Sequence, residues 1–472
     1  MRTLRLAAAA LTASVLLLAA PAGARAGDLD LPAQERTLDN GLKVIVLEDA
    51  SIPNCTLYVW WRVGARNERT GITGLAHFFE HMMFMGGAKY GSQFDPIMEA
   101  RGGSNNAFTT HDVTVYQDWF PKSALDLVLD MERDRMSGMV FTPEKVEHER
   151  DVVHSEYRLD MEDPTARLAL LLRNTSYVAH PYHWDVLGWE SDIVSWRQSD
   201  LEAFYAENYA PNNATVVLVG DVRPEEGFAA IEKALGSIPR KPERRPVHTA
   251  EPEQKGERRV TLEEPTAALP GAMMAWHMCR TDDPEFPVFE VIEDLLLDGE
   301  SSRLQKALVE DEALCLGVGG GWQDHQFDPS LFTVELTMRE GVPAAKGESR
   351  VHEEIAKLAK DGPTERELRR VKNKNRADLV RRLQTIDGKA QLLGETETFF
   401  GGWRNLSKRI ERIEAVTADD VKRVAAKTFR AQNRTVATLV IPGAPADGVE
   451  RGGDDGAGRP DTGGGSTKEE QK

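Results

Sequence analysis

Only three cysteines occur in 472 residues, Cys55, Cys279 and Cys315. An odd number without paired spacing excludes a disulfide framework and a cysteine zinc site. Such thiols are expected to pack as small buried hydrophobes, with closure of one pair left open in an oxidising compartment. Positive charge is also short: 58 Lys and Arg face 76 Asp and Glu, a formal net charge of −18. That surface repels nucleic acid and anionic lipid, so neither is expected as a partner. Beyond the first 26 residues no stretch holds the roughly 20 apolar residues of a membrane helix, so no stable membrane anchor is expected. What remains is a globular balance, 41% hydrophobic and 28% charged, in a chain long enough for two or three domains.

The two ends stand apart from the rest. Arg2 and Arg5 precede an apolar run from Leu6 to Ala20, followed by Pro21 and the small-x-small triplet Ala24-Arg25-Ala26. This is the layout of a signal peptide over residues 1–26, cleaved after Ala26. It implies export, to a bacterial periplasm or out of the cell. Residues 443–472 are rich in glycine and charge with almost nothing to bury, and are expected to be a disordered tail.

Between them the chain echoes itself. DLEAFYAENYAPNNATVVLVG (200–220) resembles DVKRVAAKTFRAQNRTVATLV (420–440) at an offset of 220. LEDA before Trp61 resembles LEEP before Trp276 at an offset of 215. Two matches at nearly one offset indicate a duplicated half. The halves are expected at 28–237 and 260–442, joined by a polar, proline-bearing linker at 238–259. Strand patterns such as VIVLED and LFTVELTM mix with long helical ones, an α+β reading.

GITGLAHFFEHMMFMGG (71–87) places His77, Glu80 and His81 in an apolar helical pattern. Positions i and i+4 share a helix face, so both imidazoles can reach one ion. Glu80, beside them, can take a proton from a water that the ion has made acidic. A third ligand is expected on another element, and FTPEKVEHERDVVHSEYRLDMED (141–163) offers Glu149 and Glu156, two helical turns apart. His154 lies about 160° around the helix from Glu156, so the two cannot share an ion. Spacing alone does not separate these glutamates from a solvated acidic face.

The H-x-x-E-H motif, followed 75 residues later by Glu156 within E-R-x-V-V-x-x-E, resembles the pitrilysin and insulin-degrading enzyme family of zinc peptidases. GGSNNAFTTHDVTVY (102–116) and ESSRLQKAL (300–308) resemble further family segments, and the likeness runs over roughly residues 35–442. The resemblance implies two homologous domains, each a mainly antiparallel sheet covered by helices, enclosing a peptide cleft. It also implies one Zn2+ per chain on His77, His81 and Glu156, with Glu80 as base and Glu149 orienting a ligand. It supplies three ligands without His111. Asn105–Tyr116 is expected as an edge strand to which an extended peptide adds by backbone hydrogen bonds, with Asn106 and Ala107 in contact.

One departure matters. Family members that complete their own site carry an Arg and a Tyr, seven residues apart, that stabilise the oxyanion. Here LVEDEALCLGV (308–318) puts Val309 and Leu316 at those positions, and neither donates a hydrogen bond. A homologous subunit carrying the Arg/Tyr pair is the favoured explanation. Other residues of this chain, or a weak or inactive relative, are the alternatives. The function expected is a zinc endopeptidase acting on peptides or unfolded segments; the alternative is a non-catalytic binding or assembly subunit of the same fold. GVGGGW (317–322) lacks the phosphate-loop pattern and is expected as a turn or flexible loop.

Overall fold

The computed structural model describes residues 31–85 and 87–442. The expected signal peptide and the expected tail lie outside them. Among the described residues eleven strands form two sheets. β1 (Gln34–Thr37), β2 (Lys43–Glu48), β3 (Asn54–Trp61), β4 (Ser104–Thr109), β5 (Thr114–Pro121) and β6 (Ala214–Gly220) lie in the order β1-β2-β6-β3-β5-β4. β7 (Arg258–Glu263), β8 (Gly271–His277), β9 (Cys315–Trp322), β10 (Leu331–Met338) and β11 (Arg434–Val440) lie in the order β7-β11-β8-β10-β9.

Without β1, the two orders coincide strand for strand. Both have one parallel pair, β2–β6 and β7–β11, and otherwise antiparallel pairs. The echo in the sequence is an echo in register: Trp61 lies opposite Ala214, and Trp276 opposite Arg434. The fold is α+β with two homologous halves.

The first half carries α1 (Leu75–Met85), α2 (Phe94–Ala100), α3 (Leu125–Ser137), α4 (Pro143–Asp160), α5 (Pro164–Ser176), α6 (Glu190–Ile193), α7 (Gln198–Asn208) and α8 (Pro224–Leu235). The second carries α9 (Phe286–Leu296), α10 (Ala344–Asp361), α11 (Glu365–Arg382), α12 (Ile386–Phe399), α13 (Leu406–Ala415) and α14 (Ala418–Thr428). Both sheets are covered on both faces, so their central strands read as continuous apolar runs. On the first sheet Val44, Val46, Leu57 and Val59 face one core, while Ile45, Leu47, Tyr58 and Trp60 face another. That second core is completed by Ile386, Ala390 and Leu393 of α12, a helix of the other half. Reciprocally, Leu168 and Leu172 of α5 cover Met273, Ala275 and Leu439 of the second sheet. Each half lends a helix to its twin, so the domains are exchanged at their surfaces rather than merely adjoined.

Among the described residues α8 has no counterpart in the second half, and the outer strands of the two sheets differ in polarity. Val44 and Val46 need covering, and α8 covers them, with Gly227 close against Val46. The equivalent face of β7 presents Arg259 and Thr261, both exposed. A polar face has nothing to gain from a helix.

Two expectations change. Asn105–Tyr116 is not one strand but a hairpin, with β4 at the edge of the sheet and β5 inside it. The glycine run 317–321 is not a loop but part of the edge strand β9. Two of its glycines are closely packed: Gly320 has φ +113°, and a Cβ on it would fall 2.4 Å from the Thr333 carbonyl oxygen, while Gly321 has φ +110° and lies against the Glu293 side chain. The segment expected as a linker has no regular structure from 239 to 257 but is tied down. Glu251 accepts the N–H groups of Val178, Ala179 and His180, and Gln254 donates to the Arg434 carbonyl.

Candidate metal centre

Helix α1 spends its apolar residues on the core and leaves its titratable ones on the other face. Leu75, Ala76, Phe78, Phe79, Met82 and Met83 are buried. Phe79 sits among Phe141, Phe204, Tyr205 and Tyr209, and Phe78 against Trp196. Its start is held as firmly. The buried Glu68 carboxylate accepts the N–H of Gly74 (2.8 Å) and of Ala76 (2.7 Å), two of the donors a helix start leaves unpaired. Trp184 Nε1 donates to the same carboxylate at 3.2 Å. Gly74 has φ +85°, and a Cβ there would meet the Leu187 carbonyl oxygen at 2.4 Å.

With α1 so placed, His77 and His81 stand with ring centroids 4.8 Å apart. Helix α4 begins with Thr142 capping Lys145 and Pro143 in its first turn, and it packs along α1. It brings Glu156 Oε2 to 3.8 Å from His77 Nε2 and 3.4 Å from His81 Nε2. One ligand atom from each of His77, His81 and Glu156 lies within 4.8 Å of the others. Two turns earlier on α4, the buried Glu149 puts Oε2 3.5 Å from His81 Nδ1, the other side of the same ring. A glutamate in that position fixes the tautomer and tilt of an imidazole whose second nitrogen faces an ion.

The donor set suits zinc. Two imidazoles and one carboxylate leave a fourth position open, the pattern of catalytic sites rather than closed structural ones. Burial, helped by the charge of His81, pushes His77 down to about 4, so its ring is neutral as a ligand must be. His77 Nδ1 is buried without a hydrogen-bond partner. His81 moves the other way. Burial alone would lower it, but the hydrogen bond to Glu149 and the charges of Glu156 and Glu80 outweigh that.

Glu80 lies beside the pair. Burial raises its pKa against the opposing hydrogen bond from Thr109, whose Oγ1 donates to Oε2 at 2.6 Å. Thr109 ends β4, the edge strand that packs against α1. The Thr110 N–H bonds the Val113 carbonyl at 2.8 Å. Alternation along an antiparallel ladder then turns the backbone of Asn106 and Phe108 to β5, and that of Asn105, Ala107 and Thr109 to the free edge. Asn106 reaches that edge with its side chain instead: its Oδ1 accepts the Ala107 N–H at 2.9 Å.

Other candidates fall elsewhere. His154 points away, with Nε2 2.8 Å from Glu190 Oε1. His111 is buried between the Trp184 carbonyl and Arg173, and burial together with the Arg173 charge pushes it down to about 3. Val309 packs partly buried against the second core, in a π-helical segment Gln305–Asp311, and Leu316 is 51% exposed on β9. Glu68 and Thr109 were missed in the sequence. The only signal for either was its place in a motif segment, because each acts through a partner brought close by folding.

Between the halves lies a cavity of about 280 Å³, lined by Asp160, Arg173 and Asp185 of the first half and Gln323, Thr333 and Glu335 of the second.

Residues 43–187 match the family model described as Insulinase (Peptidase family M16), and residues 195–375 the one described as Peptidase M16 inactive domain. The chain is 30% identical over 377 residues, 77% of its length and 83% of the relative's, to the zinc protease PqqE of Helicobacter pylori. It is 24% identical to the uncharacterized zinc protease YmxG of Bacillus subtilis, over 83% of this chain and 95% of that one. Among solved structures, a protease from Helicobacter pylori superposes with TM-score 0.83 at 27% identity, over 86% of this chain and 99% of that one. The periplasmic protease PqqL of Escherichia coli superposes with TM-score 0.72 at 19% identity, over 87% of this chain and 48% of that longer one. Fold, motif and relatives agree: this chain belongs to peptidase family M16, the insulinase family.

Proposed function

We propose that the chain is an exported zinc endopeptidase that cleaves extended peptides or unfolded segments, with one Zn2+ on His77, His81 and Glu156. The observation that carries this reading is the convergence of those three donors, from two helices, beside a carboxylate tied to an edge strand. Bound there, zinc supplies Lewis acidity toward a peptide carbonyl and acidifies a water. The rest belongs to the protein. The free edge of β4 takes the peptide as an added strand through the backbone of Ala107, with the Asn106 amide released to pair with it. Glu80 Oε1 or Oε2 receives the proton of the attacking water and returns it to the leaving amine. Glu149 keeps the His81 ring in place.

Val309 and Leu316 stabilise no oxyanion. In this reading a homologous subunit presents the Arg/Tyr pair across the cleft, and peptide bonds are cut only in that heteromer. A periplasmic setting follows from the signal peptide and is supported by the periplasmic PqqL among similar structures. The test is digestion of a peptide mixture by the wild-type chain and by Glu80→Gln, with and without the partner, alongside zinc analysis of His77→Ala. Stoichiometric zinc, lost in His77→Ala, with cleavage lost in Glu80→Gln, is expected. A zinc-loaded chain that leaves every peptide intact with its partner present would instead establish a binding or assembly subunit.

A further inference from the structure

Resting on the reading of Glu80 as the base, we propose that Thr109 is a positioning residue that joins the peptide-binding edge of β4 to that base. Among the described residues its hydroxyl is the one hydrogen-bond partner of the Glu80 carboxylate, at 2.6 Å. The proton is committed to that bond. The alternative acceptor, Thr114 Oγ1, is 3.4 Å away, where a hydrogen bond is far weaker than one to a carboxylate at 2.6 Å. Glutamate has three side-chain torsions, so a carboxylate without such a bond spreads over several rotamers.

The position of Thr109 in the sheet adds the second half of the inference. Its side chain reaches Glu80 while its backbone N–H and C=O face the free edge. A peptide that adds to β4 therefore bonds the backbone of the same residue whose side chain holds the base. Filling the edge and aiming the carboxylate become one event. A small displacement of a base from its proton is enough to cost orders of magnitude in rate.

Thr109→Val keeps the shape and removes the hydroxyl, and Thr109→Ser keeps the hydroxyl. In the assay where the wild type cleaves, Thr109→Val should lower kcat by about tenfold or more with KM within about twofold. Zinc content and thermal midpoint should hold, and Thr109→Ser should recover most of kcat. A Thr109→Val enzyme with wild-type kcat, or a Thr109→Ser enzyme as slow as Thr109→Val, overturns the proposal. Glu80→Gln, run in parallel, separates the two readings. Full activity there removes the base and this coupling with it, whereas loss there beside an unaffected Thr109→Val removes Thr109 alone. Should Thr109→Val fold poorly, Thr109→Ala takes its place. A crystal structure of either variant decides without any turnover: a Glu80 carboxylate still in its wild-type rotamer refutes the proposal, and a displaced or split one supports it.

Discussion

At His81 one imidazole is shared between two glutamates, with Glu156 near Nε2 and Glu149 near Nδ1. On the proposed reading the two have different work. Glu156 is more exposed and free to ligate, whereas Glu149 is buried behind the ring. Removing the charge of Glu149 should therefore loosen the metal without emptying the site. Glu149→Gln is expected to weaken zinc binding about ten- to hundredfold, as outer partners of metal ligands do, with the fold unchanged. Competition with a chelator of known affinity measures it. Equal zinc retention by both proteins would mean that Glu149 does not act through His81. Glu156→Gln should do more and abolish stoichiometric zinc.

Elements matter through how their ends are held. The entry to α1 depends on Gly74, where the backbone is left-handed and the Leu187 carbonyl leaves no room for a methyl. Gly74→Ala is expected to cost about 1–3 kcal/mol of stability and to lower zinc affinity, because the two imidazoles ride on that helix. Denaturant unfolding with parallel zinc titration checks both. In the second half, Arg303 of the Ser-Arg-Leu motif grips Glu367 at 2.8 and 2.9 Å, and Glu367 also caps α11 through Thr364. Burial opposes, but these bonds hold the Glu367 carboxyl down at about 2. A folded pKa below the unfolded one stabilises above the ordinary value of about 4.5, and that stability is lost as pH falls toward 2. Glu367→Gln should accordingly flatten the loss of stability between pH 4.5 and 2. Acid titration followed by circular dichroism checks this, and coincident curves for wild type and variant would show that the carboxylate is a spectator to folding.

For the whole molecule, the exchanged helices α5 and α12 make the halves one cooperative body. Leu393 of α12 is fully buried against the first sheet, so Leu393→Ala removes packing from a core built by both halves. It is expected to cost about 2–5 kcal/mol. The loss should lower one shared unfolding transition rather than split off a second-half transition. Calorimetry on the wild type and variant decides; two separated transitions would show that the halves fold independently. A polar hub supports the same junction. Arg66 bonds Asp112 at 2.8 Å and Asp328 at 2.9 Å, while Tyr182 donates to Asp112 at 2.6 Å.

Much of this was legible in the residues. The i, i+4 histidines with Glu80 between them needed only a helix, and the 215- and 220-residue echoes needed only an alignment of the chain with itself. Both are local or repetitive patterns, which survive without a third dimension. Glu156 stood out only by its family motif, because a ligand on a second helix is chosen by how α4 packs on α1. The glycine run 317–321 misled because composition suggests a turn, whereas antiparallel pairing with β10 makes the segment an edge strand. Nor does any spacing foretell that Thr109 meets Glu80, that Glu68 closes the start of α1, or that α12 crosses to its twin's sheet. Periodicity along the chain determined the elements, and a motif resemblance pointed to the chemistry; which side chains converge was decided by packing, since interactions depend on separation in space and not on separation in sequence.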